Sequence, residues 1–183
     1  YTTLDDAALQ LLAEYYGFSY IIKAEPIAEG VENSNFLLRY HEGSVDKQAI
    51  LTIFERRVSR IDIPFFMRLK QYLHKADYPC PNPLPDREGN LFCTIAGKQA
   101  AIVSFLEGKS IEAAQLTMQH ITQAGQALAQ MHNASEYFPM TRPNPLSLTG
   151  WQELCDRLCR HASTALKPEW LILAKEEMLY ARS

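Results

Sequence analysis

Ile27–Leu38 reads Ile-Ala-Glu-Gly-Val-Glu-Asn-Ser-Asn-Phe-Leu-Leu and joins two runs rich in β-forming residues. Its polar middle has Gly30 as its only glycine, which is typical of a turn between two strands. Such a turn can direct backbone N–H groups at an anion, and Ser34 and Asn35 add side-chain donors where the second strand begins. An ordinary hairpin fits the same residues, so the rest of the chain must distinguish the two interpretations.

Strand and helix patterns are mixed up to about residue 107, and only helical patterns follow. The first helix is predicted at 4–16, with Thr3 as its N-cap and Gly17 at its end. Prolines at alternate positions in 79–85 predict a stiff, extended connector. The remaining predicted elements are strands at 20–27, 35–40, 48–55, 90–95 and 99–105, and helices at 62–75, 117–133, 150–162 and 168–182.

This order of elements predicts an α+β fold of the protein-kinase-like, two-lobed type. Its N-terminal lobe has a five-stranded antiparallel sheet and one main helix, which follows the third strand. Residues 1–107 form that nucleotide-binding lobe in this interpretation, and residues 108–183 are the start of a helical C-terminal lobe. The turn in Ile27–Leu38 is then the loop that covers the phosphates of a nucleotide.

The segment that follows the last strand becomes the hinge between the lobes. Adenine presents one donor and one acceptor on an edge, and extended backbone offers both complements. We expect the Ser104 C=O and the Leu106 N–H to be these partners, with Val103 at the back of the pocket. An edge strand that leads into a helix fits the three residues equally well.

Seven blocks spread over nearly the whole chain resemble, in order, the bacterial homoserine kinases of the aminoglycoside-phosphotransferase type. They are Ile27–Leu38, Ile50-Leu-Thr-Ile-Phe-Glu-Arg-Arg57, Pro64-Phe-Phe66, Pro79-Cys-Pro81, Ala101-Ile-Val-Ser-Phe-Leu-Glu-Gly108, Gly125-Gln-Ala-Leu-Ala-Gln-Met-His132 and Asn144-Pro-Leu-Ser-Leu-Thr-Gly-Trp151. The resemblance implies ATP- and Mg²⁺-dependent phosphorylation of the L-homoserine hydroxyl, on the route to threonine. It implies that the phosphate-covering loop contains Gly30, Val31, Glu32, Asn33, Ser34 and Asn35.

Two departures from kinase patterns limit what this chain can do. No His-x-Asp-x-x-x-x-Asn loop or Asp-Phe metal motif occurs in the 183 residues, although phosphoryl transfer needs such aspartates. The third-strand lysine of protein kinases is replaced by Thr52, and Arg56, on the same strand face, is a possible substitute cation. We therefore expect no catalytic residue or metal ligand here. The chain is interpreted as the front part of a kinase that is inactive alone.

Composition narrows the class of protein further. The net charge is −3 with dispersed basic residues, which disfavours a nucleic-acid partner. No apolar run reaches the roughly 20 residues of a membrane span, and the N-terminus is not a signal peptide. Four cysteines without a disulfide-framework spacing favour the cytoplasm. Two alternatives remain open: a related kinase with an aminoglycoside, choline or another amino alcohol as acceptor, and a non-catalytic nucleotide-binding module.

Overall fold

The structure, a computed structural model, describes residues 2–28, 32–55, 58–161 and 168–181. The chain divides into two compact units, Tyr1–Met140 and Thr141–Ser183. The helices of the first unit are α1 (Asp6–Tyr16), α2 (Ile63–Lys75) and α3 (Met118–Ser135), and those of the second are α4 (Leu148–His161) and α5 (Pro168–Tyr180). The strands are β1 (Tyr20–Ile27), β2 (Asn33–Glu42), β3 (Val45–Phe54), β4 (Cys93–Ile95) and β5 (Lys98–Ser104).

The five strands form one antiparallel sheet with the order β1-β2-β3-β5-β4. The predicted five-stranded antiparallel sheet is therefore confirmed. The strand predicted at 90–95 is shorter than expected. Asn90 bonds back to Asp86 through its backbone N–H (2.8 Å) and its side-chain amide (3.0 Å), so this stretch closes a loop before the strand starts at Cys93.

The two faces of the sheet are covered by different helices. On one face α1 contributes Leu12 and Tyr16 to a core with alternate residues of the central strands. On the other face Ile63 and Met67 of α2 pack on Ala101 of β5. Because side chains alternate along a strand, neighbouring residues of β2, β3 and β5 point into these two different environments.

The ends of α1 agree only partly with the sequence prediction. Gly17 ends the helix with a φ of 72°, as expected for a residue in the left-handed region. The predicted N-cap Thr3 is wrong, because the Asp5 carboxylate accepts the Ala8 N–H at 2.8 Å. Asp5 stands three residues before Ala8, which is the spacing at which an N-cap side chain reaches a free amide of the first turn.

The proline-rich connector lies along the outer side of β5. The Leu84 N–H donates to the Ile102 C=O at 2.9 Å, and the Ser104 N–H donates to the Asn82 C=O at 2.8 Å. Pro83 pairs with Val103 as an isolated bridge. The connector thus fixes the end of β5, where the hinge is predicted to start.

The second unit is a pair of helices joined through residues outside the described part of the chain. Cys155 of α4 and Met178 of α5 are its buried side chains among the described residues. No helix in the described ranges has both the length and the apolar character that crossing a membrane requires.

The predicted lobe boundary near residue 107 stays a prediction, since it concerns the lobes of a complete kinase-like fold. In this chain α3 belongs to the first compact unit, which extends to Met140.

Candidate functional site

Strand register arranges the α2 face of the sheet into three rows of side chains. Residues that pair across strands project from the same face, and successive rows on one face lie about 7 Å apart. The rows are Ile27–Asn35–Thr52–Ala101, Glu25–Leu37–Ile50–Val103 and Lys23–Arg39–Gln48. We call Asn35 and Thr52 the polar pair, Leu37, Ile50 and Val103 the apolar row, and Lys23, Arg39 and Gln48 the charged row. They follow one another along the strands.

The apolar row offers a flat surface for a ring. Leu37 pairs with Ile50, and Ile50 pairs with Val103. Leu37 and Ile50 stay half-buried, whereas Leu38 and Leu51 beside them on the α1 face are fully buried. Leu37 and Ile50 therefore have contact area left for an apolar ligand, whereas Val103 beside them is buried.

The polar pair contains Thr52, the residue predicted to replace the third-strand lysine of protein kinases. Thr52 donates its hydroxyl to the Asn35 Oδ1 at 2.9 Å, which leaves the Asn35 amide N–H groups as donors toward a ligand. Thr52 and Asn35 are direct neighbours across β2 and β3. The pair can orient an anion through neutral hydrogen bonds, but it does not supply the positive charge of a lysine.

The predicted hinge residues follow the apolar row directly. Val103 is 7% exposed, Ser104 ends β5, and residues 105–112 have no regular structure. The Ser104 hydroxyl accepts the Asn82 N–H at 2.9 Å, so the connector holds Ser104 through both its backbone and its side chain. Leu106 is 48% exposed.

A carboxylate network lies on the opposite face, directly behind the polar pair. Glu55 Oε1 accepts hydrogen bonds from the Thr2 N–H (3.0 Å), the Thr2 hydroxyl (2.8 Å) and the Ser34 hydroxyl (2.7 Å). The Lys98 ammonium donates to Glu55 Oε2 and, at 2.8 Å, to the Thr2 hydroxyl. The Lys98 hydrogen bond is the main cause that lowers the Glu55 pKa to about 2, against a smaller effect of burial. We call Thr2, Ser34, Glu55 and Lys98 the corner network.

The charged row lies on the far side of the apolar row from the polar pair, and Glu25 lies next to it. The Lys23 ammonium lies 2.6 Å from one Glu25 carboxylate oxygen, and the Arg39 Nε lies 3.7 Å from the other. The hydrogen bond from Lys23 is the main cause that lowers the Glu25 pKa. Lys23 and Arg39 are exposed and Glu25 is partly exposed, so water screens these ion pairs and they contribute little to the stability of the fold.

The remaining predicted site residues lie at or near the turn. Glu32 is exposed at its end, and Asn33 Oδ1 accepts the Glu55 N–H at 3.4 Å. Gly30, Val31 and Arg56 lie outside the described residues. The structure thus brings Asn35, Thr52 and Val103 together on one face, whereas the Ser34 side chain points to the other face.

Sequence reasoning missed Leu37, Ile50 and the corner network. The alternation of β2 and β3 could have identified Leu37 and Ile50, because both share the strand face of Asn35 and Thr52. No sequence signal connects Thr2 or Lys98 with Glu55. Their contact depends on how the ends of three separate segments meet.

A metal site has no counterpart in the described ranges of the chain. No group of three or more His, Cys, Asp or Glu side chains comes together there as a metal ion would require. The four cysteines are free thiols.

Comparison with known proteins gives consistent matches. The model of the phosphotransferase enzyme family matches residues 23–182. The homoserine kinase of Methylobacterium radiotolerans is 43% identical over 154 residues, which are 84% of this chain and 46% of that protein. The homoserine kinase of Rhizobium meliloti is 44% identical over 150 residues (82% and 44%), and that of Paramagnetospirillum magneticum is 36% identical over 180 residues (98% and 53%). The chain spans about half the length of these curated relatives.

A solved structure supports the fold. The crystal structure of spectinomycin phosphotransferase, APH(9)-Ia, in complex with ADP and spectinomycin matches with a TM-score of 0.59 and 18% sequence identity. The match covers 91% of this chain and 50% of that one. At this identity the likeness concerns the arrangement of elements, which agrees with the predicted kinase-like α+β layout.

Proposed function

Because the chain belongs to the phosphotransferase enzyme family, we propose that it carries the nucleotide-binding part of an ATP-dependent kinase for L-homoserine. The reaction transfers the γ-phosphoryl group of ATP to the homoserine hydroxyl and gives O-phospho-L-homoserine, a step of threonine biosynthesis. The proposal includes the cytoplasm as its location, since ATP is the phosphoryl donor. The observation that carries it is the apolar row beside the polar pair and the irregular segment after β5, in a chain whose curated relatives are named homoserine kinases.

In this proposal adenine packs on Leu37, Ile50 and Val103. Its edge is held by the Ser104 C=O and the Leu106 N–H, as an extended backbone segment allows. The binding contribution is mostly hydrophobic, because the row removes apolar ring surface from water. A connector bonded to β5 on either side of Val103 makes this surface rigid, which reduces the entropy lost on binding.

The triphosphate then extends along the sheet toward the turn and the Asn35–Thr52 pair. The turn residues Gly30 and Val31, together with Glu32, Asn33 and the Ser34 backbone, would cover it. Arg56 stays a proposal as the substitute cation. Orientation by fixed donors lowers the barrier because the groups need not reorganise during transfer.

Mg²⁺ belongs to the same proposal, because it neutralises charge on the transferred phosphoryl group in reactions of this class. Its ligands and the aspartate that accepts the hydroxyl proton are expected outside these 183 residues. The chain alone is accordingly proposed to bind nucleotide and to leave the acceptor untouched.

The test is an ATP-consumption assay on the full-length protein with homoserine, choline and an aminoglycoside in parallel. We expect ATP-dependent phosphorylation of homoserine and little activity with the other two acceptors. Activity with choline or the aminoglycoside but not with homoserine would select the related-kinase alternative. Nucleotide binding without turnover on any acceptor would select the non-catalytic module.

A further inference from the structure

The segment ahead of α1 reaches the base of the turn, although it contributes no strand to the sheet. Thr2 donates its backbone N–H to the Ser34 hydroxyl oxygen at 3.0 Å and to Glu55 Oε1 at 3.0 Å. Its own hydroxyl bonds Glu55 and accepts from Lys98. Thr2 and Glu55 thus each contact every other member of the corner network. It also precedes the part of the chain that the family model matches.

Ser34 and Glu55 are the shielded members of the corner network, whereas the Lys98 side chain is 36% exposed. Ser34 is 5% exposed, and the Glu55 side chain is 15% exposed. Hydrogen bonds to a charged group in such surroundings are stronger than neutral ones. Each of the three partner segments enters at a fixed point: the start of β2, the end of β3 and the start of β5.

A cavity lies beside this network, behind the turn. It has a volume of about 520 Å³ and is lined by the N-terminal segment, by Ile27 and Ala28 before the turn, and by Asn33 and Ser34 after it. Side-chain packing therefore leaves space behind both ends of the turn. On this side the polar bonds of Ser34 add to the pairing of the return strand with β1 and β3.

Ser34 and Asn35 connect the corner network to the α2 face of the sheet, where the nucleotide is proposed to bind. They are consecutive residues of β2, so a side chain fixed behind the sheet at Ser34 orients the side chain in front of it at Asn35. Asn35 in turn accepts the Thr52 hydrogen bond. A shift of β2 at Ser34 would move the polar pair and the end of the turn together.

We infer that Thr2 is a positioning residue for the proposed nucleotide site, acting through Ser34 and Glu55 on the turn and on the Asn35–Thr52 pair. The inference rests on the proposed nucleotide function and adds the N-terminal segment to it. Thr2 touches no reacting group in this scheme. Its effect is on ATP binding, with little effect on binding of the acceptor.

The test uses full-length protein with three single substitutions. Thr2→Val removes the hydroxyl at nearly constant shape, and Thr2→Ser keeps it. Thr3→Val is the matched control, because Thr3 is exposed and outside the network. For Thr2→Val we expect a rise of about fivefold in both the ATP dissociation constant and the KM for ATP. This is less than the full loss of a hydrogen bond to a charged group, because Thr2 acts on the site only through Ser34 and Glu55. The KM for homoserine should stay within about twofold, and Thr2→Ser and Thr3→Val should behave as the wild type.

The outcomes separate this inference from the proposed function. If the wild type binds ATP but Thr2→Val binds it equally well, the inference is wrong and the function stands. If Thr2→Val lowers the thermal midpoint and changes both KM values alike, Thr2 is structural only, which also contradicts the inference. If the wild type neither binds nor consumes ATP, both the inference about Thr2 and the proposed function are wrong. Should Thr2→Val fail to fold, Lys98→Met takes its place with the same expected selectivity for ATP.

Discussion

At the scale of single residues, the lowered pKa of Glu55 makes the free energy of unfolding depend on pH in the acid range. Its pKa in the folded chain is about 2, below the ordinary value of 4.5. A lowered carboxylate pKa stabilises the fold above the unfolded-state value, and this contribution is lost as the pH falls from about 4.5 toward 2.

We therefore expect Glu55→Gln to lower the free energy of unfolding by about 2 kcal/mol at pH 7. The difference from the wild type should shrink steadily below pH 4.5 and vanish near pH 2. Urea unfolding at pH values between these limits measures it. Glu42→Gln is the control, because Glu42 pairs with Lys47 at the surface with half of its side chain exposed. A difference that does not depend on pH would contradict the assignment.

A second residue-scale prediction concerns the apolar row. Ile50→Ala removes part of the surface on which adenine is proposed to pack, and we expect ATP affinity to fall about five- to tenfold. Ile22→Ala is matched in residue type, lies in β1 outside the three rows and is 45% exposed in the structure. Nucleotide titration of both variants is the measurement. If Ile50→Ala and Ile22→Ala bound ATP with equal affinity, the apolar row would not be part of the nucleotide site.

At the scale of elements, two helical glycines have opposite roles. A Cβ at Gly150, in the first turn of α4, would lie 2.2 Å from the Pro145 carbonyl oxygen, which is too close for any real contact. A Cβ at Gly125 in α3 would meet nothing within 4 Å. Alanine has a higher helix propensity than glycine, so substitution by alanine should destabilise the helix only at Gly150.

Gly150→Ala should therefore destabilise the chain by about 1–3 kcal/mol, through the backbone shift that the clash forces. Gly125→Ala should leave stability unchanged or raise it by up to about 1 kcal/mol. Thermal unfolding followed by circular dichroism compares the two directly. If both substitutions changed the free energy of unfolding in the same direction, the Pro145 carbonyl oxygen would not lie close enough to Gly150 to exclude a Cβ.

The elements also show where sequence reasoning ends. Periodicity located the helices and strands because each pattern reports a local burial rhythm. Gly17 was identified as a helix end because a left-handed residue there is a local requirement. The N-cap was misplaced at Thr3 because Thr3 and Asp5 are both good caps, and only geometry selects Asp5.

The candidate site was predictable in part for the same reason. Asn35, Thr52 and Val103 are neighbours through strand alternation and topology, which the sequence indicates. Leu37 and Ile50 could have been identified by the same alternation, because each lies two residues from Asn35 or Thr52 on its own strand. Only their pairing with each other and with Val103 depends on the register. The corner network joins residues up to 96 positions apart, and no local pattern encodes such a contact.

At the scale of the whole molecule, the family assignment drawn from seven blocks is confirmed, and the chain covers about half of each curated relative. The three rows and the corner network lie within the first compact unit, Tyr1–Met140. The proposed binding of the nucleotide and the proposed transfer of its phosphoryl group can therefore be tested separately with chains of different length.

We expect a protein of residues 1–183 to bind ATP and to show no transfer to homoserine, whereas the full-length protein does both. The physical reason is that the described residues provide the apolar row and the polar pair but no cluster of carboxylates for a metal. Without charge neutralisation and a proton acceptor, a positioned phosphoryl group gains little rate. Nucleotide titration and a coupled phosphorylation assay on both chain lengths measure the two properties independently. Turnover by residues 1–183 alone would mean that the acid–base and metal groups lie within this half after all. Failure of this shorter chain to bind ATP, while the full-length protein binds it, would mean that the three rows do not suffice as a nucleotide site.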